Sequence, residues 1–306
     1  MILAGFITAS EELEGSRLGI PVARTHQSGK KQRPPLLGCA RVFDTHCHLT
    51  FPEFAGRTAE ILAGAAAVGV RGAITIGTTS ADSLHARDLT LANPSLWHSA
   101  GVHPLYSDQP RSWSDLKAAA SSPKCLAWGV LGLDNHYPNP PRDLQRRVLD
   151  EQLEFIERCR GELPALNKPL VLHCRDAFDD LLAVLRQTSF PPSRMVFHCF
   201  TGTVDDARKV LDFGAWISFT GVVTFASAAS VAEAARICPS DRMMVETDSP
   251  FLTPEPMRKI RPNEPKFVVH VAQKIAAIRG LFGPDADRFY SELDRNAERF
   301  FGFTMP

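Results

Sequence analysis

The sequence predicts an α/β protein folded as a (β/α)8 TIM barrel, and three observations predict it. Eight short β-prone runs, each followed by a helical pattern, alternate over residues 41–306. That alternation calls for a parallel sheet, and eight units call for its closure into a barrel. Five of the runs also end in residues able to bind a metal or a substrate: Val42–His48, Trp97–His103, Pro169–His173, Arg194–His198 and Met243–Asp248. Side chains at the C-terminal ends of barrel strands converge on one face, which is where this architecture builds sites. Finally, no Gly-x-Gly-x-x-Gly follows the first strand. An open doubly wound sheet, the structural alternative, therefore lacks its usual dinucleotide fingerprint.

The chain supports these units in order. Residues 1–40 differ from the rest. Met1–Ala9 is apolar but has no basic residue ahead of it, and Glu11, Glu12 and Glu14 follow, a poor secretory signal. Gln27–Pro35 is polar and turn-rich, so a flexible extension is expected over 1–40 and the barrel over 41–306. Val42 and Phe43 lead into Asp44-Thr45-His46-Cys47-His48. Strand alternation places His46 and His48 on one side and Cys47 on the other. Two imidazoles converging from one strand can chelate a divalent metal if other segments complete the shell. An Ala- and Leu-rich helix then spans Thr58–Val68, followed by a strand at Gly72–Gly77 and a helix at Ala81–Leu91. Leu96–Val102 is the third strand, with a short helix at Trp113–Ala120; Lys124–Asp134 is the fourth, with a long amphipathic helix at Arg142–Arg160. The fifth strand, Pro169–His173, precedes a helix ending at Leu185, and the sixth, Arg194–His198, precedes Val204–Phe213. Ala215–Phe219 is followed by an Ala-rich helix to Ile237, and Met243–Thr247 by helices over Lys266–Arg279 and Ala286–Phe300.

Composition narrows the function classes. With 34 basic and 34 acidic residues the net charge is zero, so nucleic-acid binding must come from a local patch. No apolar run reaches membrane-span length. Seven cysteines without a C-x-x-C pair indicate reduced thiols and a cytoplasmic setting. Cys174 and Cys199, each following a candidate ligand histidine, are expected to face the opposite layer as small packing residues. His26, His85, His98, His136 and His270 fall outside the strand-end pattern and read as surface or structural. Ser249 lacks a Gly-x-Ser-x-Gly elbow and reads as a turn residue before Pro250. Trp113 and Phe225 read as core.

Taken together, the motifs resemble those of the TatD family of metal-dependent hydrolases, a branch of the amidohydrolase-like barrels, over residues 42–302. They are Phe43-Asp44-Thr45-His46-Cys47-His48, Gly101-Val102-His103-Pro104, His173-Cys174-Arg175-Asp176-Ala177, Phe197-His198-Cys199-Phe200-Thr201-Gly202, Glu246-Thr247-Asp248-Ser249-Pro250 and Arg261-Pro262-Asn263-Glu264-Pro265. The resemblance implies one or two divalent cations, with Zn, Mn, Mg, Fe and Co all compatible with imidazole and carboxylate ligands. His46, His48 and Asp248 would hold the first, and His173 and His198 the second. Asp248 would also take the proton from the attacking water; a second cation would polarise the scissile phosphoryl oxygen, and with only one cation that role would fall to His103, His198 and Arg175. Arg261 and Asn263, in a basic segment after the eighth strand, would contact substrate.

One departure stands out. Where the family carries a bridging glutamate in Gly-Glu-x-Gly-Leu-Asp, this chain reads Gly129-Val130-Leu131-Gly132-Leu133-Asp134. Valine supplies no oxygen to either cation. Asp134 and Glu246 are the carboxylates to weigh as substitutes, but Asp134 lies four positions beyond Val130 and is expected past the strand end. His173 could instead complete a single site with His46, His48 and Asp248, as in related mononuclear barrels. Three readings follow, in order: a deoxyribonuclease acting on DNA 3′ ends by metal-activated water; a mononuclear hydrolase of a small phosphodiester, an aminoacyl or another small-molecule ester or amide; and a catalytically weakened binding protein. A monomer without membrane association is expected.

Overall fold

The computed structural model describes residues 41–305; the expected extension over 1–40 lies outside them. Eight strands pair in parallel in the order β1 to β8. The elements are β1 (Val42–Cys47), α1 (Thr58–Ala67), β2 (Val70–Thr75), α2 (Ser80–Leu91), β3 (Leu96–Ala100), α3 (Trp113–Ala120), β4 (Cys125–Asp134), α4 (Arg142–Glu162), β5 (Leu170–Arg175), α5 (Phe178–Leu185), β6 (Met195–Phe197), α6 (Val204–Phe213), β7 (Trp216–Phe219), α7 (Ala229–Ile237), β8 (Met243–Val245), α8 (Val268–Ile278) and α9 (Pro284–Phe301). The eight-unit expectation over these residues holds, and the doubly wound alternative does not. The barrel is drawn together between β1 and the residues just past β8. Asp248 N donates to His46 O at 2.9 Å and His48 N to Ser249 O at 2.8 Å. Closure thus occurs at the ends of the strands that carry candidate ligands.

Two apolar layers fix the barrel. Between strands and helices, Leu149, Leu153 and Ile156 of the amphipathic α4 bury against Leu131, Leu133 and Leu172. Inside the barrel, Phe43, Ile74, Val130, Val171, Val196 and Met244 form a second layer. The C-terminal end of α9 stoppers this layer with Phe300 and Phe301, and Phe303 packs 5.2 Å from Phe43 and 4.9 Å from Trp97, centroid to centroid. Apolar packing thus fills the N-terminal end of the barrel and leaves the polar strand ends at the other.

Local chemistry sets the helix starts. Thr79 accepts from Asp82 N ahead of α2, and Ser112 from Asp115 N ahead of α3. Thr203 and Asp206 form a reciprocal capping box at α6, which stops at Gly214 with φ 97°. Among the described residues no helix is long and apolar enough to cross a membrane.

Candidate metal centre

His46, the last residue but one of β1, and His48, just past it, meet as alternation predicts, with their Nε2 atoms 3.3 Å apart. Asp248, just past β8, brings Oδ1 to 3.3 Å from His48 Nε2 and 3.6 Å from His46 Nε2. The backbone at Asp248 is left-handed, φ 53°. Aspartate tolerates that region better than most residues, and the turn swings its carboxylate back over the strand ends. Behind it Asp44 is a buried clasp: Thr247 N donates to Oδ1 at 2.8 Å and Thr247 Oγ1 to Oδ2 at 2.6 Å. Ser249 Oγ lies 3.0 Å from Thr247 Oγ1, within that clasp, as its reading as a turn residue expects.

On the other side of the mouth, His173 Nδ1 and His198 Nε2 face one another at 3.3 Å. The His46 ring stacks on His198 at 3.8 Å, so the two groups are neighbours. Hydrogen bonds behind the rings fix which nitrogen carries the proton. His173 Nε2–H donates to Asp134 Oδ2 at 2.9 Å, and His198 Nδ1–H to Glu246 Oε1 at 3.2 Å. His48 Nδ1–H donates to the Ile76 carbonyl at 3.3 Å. Carboxylates and carbonyls only accept, so the inward nitrogens of all three rings are bare lone pairs.

Two sequence expectations need correction here. Asp134 does not lie past the strand end: it is the last residue of β4 and fully buried. Neither Asp134 nor Glu246 replaces the missing carboxylate, because each is turned behind a histidine. Asp134 Oδ1 accepts from His136 N at 3.0 Å, and Gln145 of α4 brackets its backbone. Glu246 Oε1 also accepts from Cys199 N at 2.6 Å, and Oε2 from Ser218 Oγ at 2.5 Å. His46, His198 and Glu246 form a further close trio; with both Glu246 oxygens engaged, it follows from ring stacking. His173 joins neither three-donor group among the described residues, so a single shell with His46, His48 and Asp248 would need its ring to turn toward them.

The electrostatics suit metal ligation. Burial, then the neighbouring rings, holds His46 and His103 well below the ordinary imidazole value, and burial takes His198 down to about 3. All three are neutral at physiological pH. Burial pushes Glu246 up to about 7 against its hydrogen bonds. Burial is the largest influence on Asp134 and pushes it upward, but the hydrogen bond and charge interaction with His173, the Tyr137 N–H and the Arg175 charge together outweigh it and leave it below the ordinary carboxylate value.

The donor set fits a divalent cation. Lone pairs and a carboxylate oxygen aimed at one another repel unless a positive charge lies between them. His46 Nδ1 is buried without a partner, so nothing holds its ring in place from behind. A tetrahedral shell with ligand bonds of about 2.0–2.1 Å has donor–donor edges of about 3.3–3.4 Å. The spacings of 3.3 and 3.6 Å in the first group match that shell.

The remaining expected residues divide. His103 Nδ1 accepts from Leu105 N at 3.1 Å, leaving Nε2–H as a donor, and its ring lies 4.4 Å from His173. Gln152 of α4 holds the adjoining Val102 backbone at 2.8 and 3.0 Å. Arg175 ends β5, half-buried beside Tyr137, its Nη1 3.4 Å from the phenol oxygen. Arg261 is exposed, with its guanidinium turned onto the Arg258 and Ile260 carbonyls. Asn263 was expected to touch substrate; it is fully buried, donating to Thr247 O and Phe251 O beneath the loop. The loop cation passed over was Arg258, stacked 3.9 Å over Phe225 with Nη1 lacking an acceptor. Phe225 is accordingly half-buried beneath a cation rather than in the core. His98 is structural as expected, bonded to Thr90 Oγ1 at 3.0 Å and the Ala119 carbonyl at 3.1 Å. Cys174 packs in the outer layer, but Cys199 sits past β6 at φ 46°, where strand alternation no longer applies.

A parallel eight-stranded barrel with histidine and aspartate donors gathered at its C-terminal mouth is the arrangement of a metal-dependent hydrolase. The sequence-family description TatD related DNase matches residues 43–302, and the chain belongs to that family. Membership makes it a metal-dependent hydrolase acting on ester bonds. It is 37% identical over 241 residues to the uncharacterized metal-dependent hydrolase YcfH of Escherichia coli K12, covering 78% of this chain and 88% of that protein. It is 32% identical over 270 residues to the 3′-5′ ssDNA/RNA exonuclease TatD of Citrobacter rodentium, covering 86% and 99%. The crystal structure of YjjV, a TatD homologue from E. coli, superposes with a TM-score of 0.78 at 27% identity, covering 87% of this chain and all of that one.

Proposed function

We propose that this protein is a metal-dependent deoxyribonuclease that hydrolyses phosphodiester bonds from the 3′ ends of single-stranded DNA. The observation that carries the reading is the convergence of inward lone pairs from His48, His173 and His198 with the His46 ring and the Asp248 carboxylate. A relative bearing the name 3′-5′ ssDNA/RNA exonuclease supports the substrate. His46, His48 and Asp248 would hold one cation and His173 and His198 a second. The chemistry a divalent cation supplies there is Lewis acidity toward water and the phosphoryl oxygen. Asp248 would help hold that cation, and its carboxylate would take the proton of the attacking water. His103, neutral and protonated on Nε2, donates to a phosphoryl oxygen as charge develops. Arg175 faces the same charge from the end of β5. Asp134 and Glu246 keep the His173 and His198 lone pairs pointing inward.

The charge around the mouth sets the approach of the strand. After β5 and β6 the rim carries Asp176, Asp179, Asp180 and Asp206 around one pocket, four acids against Arg142 in the same lining and Lys209 paired with Asp179. After β8 it carries Arg258, Lys259 and Arg261, for which no ion pair is found among the described residues. A phosphate backbone is drawn to the second side and repelled from the first. Loops after the last two strands are a frequent phosphate site in such barrels. Arg258, held flat by Phe225, is the contact we assign there.

A smaller phosphodiester or ester is the second reading, favoured by Val130, which leaves the His173–His198 pair without a carboxylate. The test uses a single strand labelled at its 5′ end, incubated with Mg2+, Mn2+ or Zn2+, beside a panel of small esters. The expected product is a ladder shortening from the 3′ end and abolished by chelation. An intact strand under all three metals, with turnover of a small ester, would replace the nuclease reading by the second. We further propose that residues 41–306 form the working unit, that it acts as a monomer, and that it works in the cytoplasm, where the six described thiols stay reduced.

A further inference from the structure

The two groups of donors in the mouth are unequal. His46, His48 and Asp248 supply three donors, one of them anionic, all within 4.8 Å of one another. The second pair supplies two neutral imidazoles, and no group of three metal-capable side chains among the described residues includes His173. The surrounding acids are already engaged. Asp134 is held by His173 Nε2 and the turn after β4, Glu246 by His198, Cys199 and Ser218, and Asp44 by Thr247. Nor does β4 offer a ligand from beneath, because Val130 is fully buried in the apolar layer with Ile76, Val171 and Val196. Yet the pair is organised: its lone pairs face each other at 3.3 Å and both rings are locked from behind. Two imidazoles bring no charge to offset a dication and fill only half of a four-coordinate shell.

We propose that His173 and His198 hold a cation only jointly with an anionic oxygen of the bound substrate, whereas His46, His48 and Asp248 hold one unaided. The inference rests on the phosphodiester reading for the identity of that oxygen. A non-bridging phosphate oxygen carries the missing charge and the missing ligand together. Metal uptake and substrate binding are then linked, and linkage is reciprocal: the second cation tightens the strand by the factor by which the strand tightens the cation.

Equilibrium dialysis of the full chain against Mn2+ tests this in three arms: metal alone, metal with inorganic phosphate, and metal with a phosphorothioate single strand that resists cleavage. The expected uptake is about one Mn2+ per chain alone and about two with the strand, the second ion appearing in electron paramagnetic resonance as a spin-coupled pair. His173→Ala is expected to stay near one in every arm. Two ions bound without any anion would overturn the proposal, and so would one ion at saturating strand and phosphate. The nuclease reading is judged separately, on release of nucleotides from an unmodified strand. A chain that cuts no DNA but takes up its second Mn2+ with inorganic phosphate keeps this inference and loses that reading.

Discussion

Val130 has the largest consequence of any single residue in the mouth. Its side chain is fully buried in the barrel's inner apolar layer. A glutamate there meets opposite conditions in the presence and absence of metal. Without metal, a carboxylate among Ile76, Val171 and Val196 has no partner, and desolvation costs a few kcal/mol even after relaxation. With metal, it can reach the His173–His198 pair and supply the missing charge. Val130→Glu is therefore expected to lower the unfolding midpoint of the metal-free protein, to raise Mn2+ content toward about two ions without substrate, and to raise the nuclease rate. Unchanged metal content and rate would refute this. The residue scale also shows how far the sequence could be read. His46, His48, His173, His198 and Asp248 were legible because strand alternation and the C-terminal ends of parallel strands dictate where they point. The places of Asp134 and Glu246 behind their histidines were not legible. Whether a carboxylate enters a site or stands behind a histidine depends on ring orientation, which no spacing encodes.

At the scale of elements, the loop after β8 carries Arg258, Lys259 and Arg261, for which no ion pair is found among the described residues, and its path decides which cation is presented. Asn263 beneath it ties Thr247 and Phe251, and Gly221 lets the loop after β7 approach so closely that a Cβ there would lie 2.0 Å from Leu252 O. That packing turns Arg261 onto the Arg258 and Ile260 carbonyls and leaves Arg258 flat on Phe225. The sequence marked the segment as basic but not which arginine it offers, since that follows from contacts between two loops. Arg258→Ala is expected to raise KM for a single strand up to about tenfold and to reduce the salt slope by about one, with kcat held. A fall in kcat at unchanged KM would move Arg258 out of the binding role. A second element-scale effect lies at the opposite end, on α9. Burial pushes Asp294 up to about 6, overcoming the opposing Arg71. A carboxyl whose folded value is raised binds more protons folded than unfolded, so stability falls as pH rises from about 4 to about 6. Asp294→Asn removes that loss. Chemical denaturation should find it equal to the parent near pH 4 and more stable at pH 7 by roughly 2–3 kcal/mol. His98, lowered to about 4 by burial, titrates in the opposite sense, so the difference between variant and parent is the quantity to read.

Over the whole molecule, residues 41–305 close the barrel with contacts of their own. The eight-stranded sheet begins at Val42, its seam is the pairing of His46 and His48 with Asp248 and Ser249, and its N-terminal end is filled by Phe300, Phe301 and Phe303 from the C-terminal end of the chain. The seam carries His46, His48 and Asp248, the donors proposed for the first cation, so cation binding should stabilise the closed barrel as a unit. A ligand that binds only the folded state adds about 2.7 kcal/mol at a hundredfold excess over its Kd. Removal of residues 1–40 is accordingly expected to leave the thermal midpoint, its rise with Mn2+ and the nuclease rate unchanged. Chelation should lower the midpoint of the full-length and shortened chains by the same amount. A shortened chain that fails to fold, or that folds and no longer gains stability from Mn2+, would place part of the working unit before Arg41. If the full-length chain also gained nothing from Mn2+, the donors of the seam would not be its metal ligands.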